Sequence, residues 1–181
     1  MQRPGLLLGS TLALVLAATA VSGLKAEVGE YELKAEMVSR FPDFVEWPSE
    51  EVPEDPEEPL ILGVLGSDPL GRRLAPVLRD RPGRPIELRT LESPDQMDEC
   101  HLVYVSETEE DSLSRVVERA KREHVLTIGG TEGFARRGIH INLFLTEGRV
   151  GFEVNRESAA ASELRLSSKL LRLARLVEPG S

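Results

Sequence analysis

The chain has 181 residues, with 22 Lys and Arg against 31 Asp and Glu and a net charge of −9. That balance excludes a nucleic-acid partner, because affinity for a phosphate backbone comes chiefly from clustered Lys and Arg. A single cysteine, Cys100, excludes an internal disulfide.

The N-terminus reads as an export signal. Arg3 precedes LLLGSTLALVLAATAV, residues 6–21, which carries no charge. Ala18-Thr19-Ala20 fits the small-x-small cleavage rule, so residues 1–20 are expected to be a signal peptide. Val21-Ser22-Gly23 is the alternative, and 23–26 is the latest boundary. The run falls short of the about 20 apolar residues that a spanning helix needs, which makes an uncleaved anchor the weaker reading. No cysteine follows it and no Arg pair precedes it, which argues against lipid attachment and twin-arginine export. Roughly 160 residues then remain, enough for one domain with its own core. Residues 29–178 are read as that single domain.

Along it, residues 29–47 place Leu33, Met37, Phe41, Phe44 and Val45 near helical spacing. Pro42 must either kink that helix or begin a second short turn, pushing Arg40 and Phe41 out of helical geometry. Three of the chain's few aromatics, Phe41, Phe44 and the sole Trp47, crowd into FPDFVEWP, which Pro48 closes. EEVPEDPEE, 50–58, is a solvated connector. LILGVLG, 60–66, reads as a strand buried on both faces, and Ser67-Asp68-Pro69 as the cap of a short helix ending near Leu78. Strands follow at 86–91, 101–106 and 125–129, with an amphipathic helix in EEDSLSRVVERAKREH. Residues 139–145 and 149–155 flank Thr146-Glu147-Gly148 as a hairpin. Glu163 to Val177 reads as a closing helix with Leu166, Leu170, Leu173, Ala174 and Val177 on one stripe. Strand–helix alternation followed by that hairpin and helix predicts a three-layer α/β fold: a mainly parallel sheet with helices on both faces.

The chemistry the residues offer is thin. His101, His124 and His140 have no Cys or carboxylate at metal-ligand spacing, so no metal site is assigned. Gly66-Ser67-Asp68 lacks the flanking glycines of a nucleophile elbow, and Gly63-Val64-Leu65-Gly66 has the wrong spacing for a phosphate loop. No catalytic residue and no cofactor is assigned. In an open parallel sheet, ligands bind beyond the carboxyl ends of the strands. Those ends supply Ser67, Asp68, Ser106, Gly129, Gly130 and Thr131 as candidate ligand contacts. As ordinary caps and turns they need no ligand, and that is the reading the residue types favour. Arg165, Lys169 and Arg172 make the last helix basic, suited to an acidic partner or to a solvated back. Trp47 is either part of the dock of the first helix or an interface anchor. Cys100 opens an apolar run and is read as a buried thiol.

Taken together, KAEMVSRFPDFVEWP, LILGVLGSDPLG, DECHLVYVS, VLTIGGTEGFARRGIHINLFLTEGRVGFEVN and LRLSSKLLRLARLVE resemble the YfiR-like family of bacterial periplasmic proteins, from about Glu30 to Glu178. The resemblance implies a periplasmic regulator without enzymatic activity. Its partner would be a membrane-bound diguanylate cyclase or another sensor protein, restrained through its periplasmic portion, with cyclic-di-GMP and biofilm formation as the output. It also implies association into homodimers and redox control through disulfides. Cys100 matches a family cysteine, but its bridging partners are missing here, so redox control does not carry over.

Overall fold

The computed structural model describes residues 29–48, 51–178 and 180. The expected signal peptide at 1–20, with its alternative boundaries, lies outside them. Helix α1 covers residues 29–40. Pro42 then starts a separate 3₁₀ turn, Phe41–Phe44, where its missing N–H costs nothing. Arg40 keeps right-handed helical angles (φ −96°, ψ −21°), contrary to expectation. It lies one residue too far upstream for the proline ring to restrict it. FPDFVEWP is therefore not a helix end: after the turn, β-branched Val45 becomes extended (φ −121°, ψ 134°) and opens strand β1, Val45–Glu46.

There follow β2 (Leu60–Leu65), α2 (Pro69–Asp80), β3 (Ile86–Leu91), a 3₁₀ turn at Pro94–Glu99, β4 (Leu102–Val105) and α3 (Leu113–Arg122). The chain continues through β5 (Leu126–Gly129), β6 (Ile141–Thr146), β7 (Arg149–Asn155), α4 (Arg156–Ala161), β8 (Arg165–Leu166), α5 (Ser168–Leu173) and β9 (Arg175–Val177). Seven strands form one sheet in the order β3-β2-β4-β5-β6-β7-β9. The first five pair in parallel, β7 runs antiparallel to β6, and β9 is parallel to β7 at the edge. β1 and β8 form a small antiparallel ribbon of their own.

The sheet separates two apolar clusters. On one face Leu62, Val64, Tyr104, Ile128, Leu143 and Phe152 pack beneath α1, α2 and the 3₁₀ turn at Phe41, with Ala159 of α4 and Leu170 of α5. On the other, Leu65, Val103 and Val105 meet Leu113, Val116 and Ala120 of α3, with Met97 and Phe134 from the connecting turns. These are the three layers that the alternation predicts. α2 begins where Asp68 Oδ1 accepts the Leu70 N–H (2.7 Å), a capping carboxylate at the positive end of the helix dipole. Its buried residues Leu70, Leu74 and Leu78 recur every fourth position. Exposed Pro76 lies inside it without ending it.

The hairpin register runs from Ile141↔Val154 to Thr146↔Arg149, which leaves Glu147 and Gly148 as a two-residue turn. Both have positive φ (50° and 72°), the geometry of a type I′ turn, which favours Asn or Asp at its first position. Glu147→Asn should therefore raise stability by about 0.5 kcal/mol in urea denaturation. An unchanged midpoint would count against the turn.

The tail differs most from expectation. Glu163–Val177 is not one helix: it gives β8, the short α5 and β9. Glu163 takes φ +57°, and Ala174 turns extended (φ −84°, ψ 150°) to end α5. Leu170 is buried but Leu173 is 71% exposed, so the proposed stripe does not exist as one face. Pairing outweighs helical propensity at both ends, through Leu166↔Val45 and Leu176↔Val154.

Candidate functional site

The chain passes from β2 to β3 on one side and then returns to place β4 on the other. The strand order therefore reverses between β2 and β4, where open α/β sheets hold ligands. Ser67, Asp68 and Ser106 lie at that reversal. The Ser67 N–H donates to Thr108 Oγ1 (3.2 Å), which shares a hydrogen bond with buried Ser106 Oγ (2.6 Å). Tyr104 donates to Asp68 Oδ2 (3.2 Å). Burial, and then the Asp68 carboxylate, push the Tyr104 phenol well above its ordinary pKa, so it stays a donor. Next along the sheet, a Cβ on Gly130 would come 2.9 Å from the Tyr104 hydroxyl. Gly129 packs beside Asn142, whose Nδ2 donates to Thr131 O (2.9 Å). All six candidate residues thus border one edge of the sheet, tied together by side chains of their own loops. Tyr104 and Asn142 belong to this cluster too, and in the sequence only their strand-end positions point to it.

Three of the four residues in the second candidate group also come together, and Arg172 does not join them. Pairing of β1 with β8 sets Glu46 opposite Arg165. A cleft of about 530 Å³ there is lined by Glu46, Trp47, Pro48, Ala160, Glu163, Leu164 and Arg165. Trp47 Nε1 is enclosed without a hydrogen-bond partner among the described residues, an omission that ordinarily costs about 1–3 kcal/mol. Lys169 Nζ sits 5.5 Å from the centre of the Phe44 ring, and exposed Arg172 contacts Ser168 Oγ at 3.4 Å. Trp47, Arg165 and Lys169 therefore border one region, built from the β1–β8 ribbon, α5 and the Phe41–Phe44 turn.

A histidine–serine contact invites a catalytic reading and fails it. His140 and Ser162 are 1% exposed, with Nε2 and Oγ 3.0 Å apart. The Thr127 N–H donates to His140 Nδ1 (3.1 Å), so the ring proton sits on Nε2 and points at the serine. A histidine that donates to a serine cannot act as its general base. Burial lowers the His140 pKa to about 4, keeping it neutral. His140 does not face solvent from its strand, the simplest reading of its alternation with Ile139 and Ile141.

Cys100 is buried at 6% exposure, with Sγ 3.8 Å from Gln96 O. Burial pushes its pKa up to about 11, against the pull of Arg89 and reinforced by Glu99 and Asp98. At pH 8 about one thiol in a thousand is then ionised, and labelling by a disulfide reagent should wait for unfolding. Stoichiometric reaction within seconds in native buffer would refute that.

Among the described residues no group of three or more His, Cys, Asp or Glu is placed to hold a metal ion, and no helix is long and apolar enough to cross a membrane. The family model described as YfiR/HmsC-like matches residues 31–175. The chain belongs to the YfiR/HmsC-like family. The match takes in the aromatic turn, the switch-point loops and the β1–β8 ribbon, but stops within β9. No curated protein matches this YfiR/HmsC-like chain. Among solved structures it is similar to a conserved domain protein from Vibrio cholerae O1 biovar El Tor, at 12% identity and a TM-score of 0.56, covering 81% of this chain and 59% of that one. It is also similar to the ABC domain in complex with L-Trp from Streptococcus pneumonia, at 9% identity and a TM-score of 0.51, covering 65% and 55%. The chain thus spans little more than half the length of either, and at such identities the likeness is one of α/β fold alone.

Proposed function

We propose that this protein is an exported, non-enzymatic regulator that restrains a membrane-bound signalling protein, a diguanylate cyclase, through that protein's periplasmic portion. The observation that carries this reading is the YfiR/HmsC-like match over residues 31–175. The apolar N-terminal run read as a signal peptide, residues 1–20, supplies the route to the periplasm, and residues 29–178 are the single domain delivered there. The region around Trp47, Arg165, Lys169 and Arg172 is the docking face we assign to the partner, with Trp47 as its anchor. The test is intracellular cyclic-di-GMP in the native host with the gene deleted and restored. A rise on deletion, reversed by the full chain but not by one lacking residues 1–20, is the expected result. No change across growth conditions, together with no crosslink to an inner-membrane protein in intact cells, would remove the cyclase from the proposal.

A second reading rests on the strand reversal. Ser67, Asp68, Ser106, Gly129, Gly130 and Thr131 would contact a small ligand there, displacing Thr108 from Ser67 and Ser106. The S. pneumonia domain named above was solved with L-Trp, which makes amino acids a sensible first panel. A ligand at a hundred times its dissociation constant should stabilise the fold by about 2.7 kcal/mol. Equal melting temperatures with every ligand, in wild type and in Thr131→Val alike, would sink this reading and leave the regulatory one untouched.

A further inference from the structure

We propose that the open edge strand β3, with the cavity beside it, docks an extended basic segment of a partner protein. β3 ends the seven-stranded sheet and pairs only with β2. The Leu60 N–H donates to Pro85 O (2.9 Å), so the ladder to β2 uses alternate residues, Glu87, Arg89 and Leu91. Ile86, Leu88 and Thr90 turn their N–H and C=O groups the other way, where no partner meets them among the described residues. The opposite edge, β9, is only three residues long. A six-residue strand with outward donors and acceptors at every second position is a template for one more strand.

A cavity of about 250 Å³ adjoins that edge, on the face of the sheet that α3 covers. Its floor is Leu91 and Cys100, each 6% exposed, and its rim carries Asp95, Asp98 and Glu99 with a single cation, Arg89. These charges are not all matched. Asp95 pairs with Arg115 (2.9 Å) and Arg119 (3.6 Å), and Arg89 sits between Glu87 (2.8 Å) and Glu99 (2.7 Å). Asp98 is exposed and has no ion-pair partner among the described residues. An apolar floor under an acidic rim suits a Lys or Arg side chain, whose methylene stem packs on Leu91 while its head reaches Asp98.

The occupant follows from the edge and the cavity together. Successive side chains of a strand point to opposite faces, so a chain laid along β3 sends every second one to the face where the cavity lies. Main-chain bonds to Leu88 and Thr90 supply affinity, and a basic side chain in the cavity sets the register. A second copy of this chain fits poorly. Edge to edge, it would add its own acidic rim to an acidic cavity, in a chain whose net charge is already −9. No residue of the region around Trp47 takes part, so the inference stands or falls apart from the cyclase reading.

The experiment is fluorescence anisotropy of a labelled peptide of alternating Lys and Val, as long as β3, titrated with the mature protein. It is read at about 0.15 M salt, which screens loose attraction to an acidic chain. The peptide should bind, and the Leu88 and Thr90 amides should exchange more slowly in its presence. Giving alternate residues of the peptide the D configuration keeps its charge and composition but destroys its strand geometry, and should weaken binding at least about tenfold. Thr90→Pro removes an outward N–H and leaves the β2 ladder intact, a place where an edge strand tolerates proline, and should weaken binding as much. Asp98→Lys, at an exposed position, should also weaken it, with a melting temperature unchanged from wild type; both variants are checked for this in parallel. Equal binding of the D-containing peptide would reduce the attraction to net charge and overturn the proposal. So would an absence of binding at the highest soluble peptide concentration, an affinity indifferent to Asp98→Lys, or equal binding of a Glu–Val peptide. Wild type that self-associates, and is made monomeric by Thr90→Pro, would give the edge to a second copy and overturn it as well.

Discussion

Acidification from pH 7 to pH 4 should cost this fold roughly 3 kcal/mol through His140 alone. The ring is fully enclosed, accepts the Thr127 N–H at Nδ1 and donates to Ser162 Oγ. Burial lowers its pKa from 6.5 to about 4. In the unfolded chain the same ring takes up a proton near pH 6.5. Between those values the unfolded state binds more protons than the folded one, so stability falls as pH falls. The contribution is complete above pH 6.5 and gone below about pH 4, and each pKa unit is worth about 1.36 kcal/mol. His101 works in the same direction, lowered by burial first and then by Arg84 and Arg89. The measurement is urea denaturation at a series of pH values, for wild type and for His140→Gln. The variant should start less stable, because the Thr127 and Ser162 contacts are disturbed, but its stability should fall less steeply between pH 6 and pH 4.5. A slope identical to wild type would show that His140 titrates normally and that the enclosure does not hold in solution.

That network also marks what the sequence leaves unread. IELRTL and RVGFEVN are legible to the residue, at Ile86–Leu91 and Arg149–Asn155, because alternation and flanking turns are local signals. The three-layer architecture follows from the same kind of evidence. His140, by contrast, alternates with two isoleucines and looks like a solvent-facing residue. Only the packing of α4 and Ser162 over that face turns it into a core group. The closing segment fails for a related reason. Leu166, Leu170, Leu173 and Val177 have helical spacing, but their ends are taken by strands that arrive from far along the chain. Propensity cannot register a partner that is distant in sequence.

The candidate residues divide along the same line. Their positions at strand ends are a property of the strands, and so could be named in advance. That Tyr104 reaches Asp68, or that Glu46 lies opposite Arg165, depends on strand order. Strand order is decided by crossovers, and no local pattern encodes them. How each candidate region is closed or opened is consequently visible only in three dimensions. One is an edge already closed by its own hydroxyls; the other is a cleft beside an enclosed indole N–H that has no partner among the described residues.

The closed edge leads to the second large effect, at Gly66. Its φ is +83°, and a Cβ there would overlap Ser106 Oγ and lie 2.5 Å from Thr108 Oγ1. Two separate costs follow for Gly66→Ala. A positive φ disfavours any L-residue by about 1 kcal/mol, and forcing apart the Ser106–Thr108 pair adds roughly 1–3 kcal/mol. Gly133 supplies the control: its φ is +84°, yet nothing lies within 4 Å of a Cβ built on it. Gly133→Ala should thus show the backbone cost alone, and Gly66→Ala should be less stable by the difference. Ser106→Ala in the Gly66→Ala background should recover part of that difference, since it removes the atom the new methyl strikes first. It leaves Thr108 in place, so recovery should be incomplete. Equal melting temperatures for the two glycine variants would mean that the hydroxyls yield freely. The strand reversal would then be an open, adaptable crevice, and the argument that it is closed by its own side chains would fall.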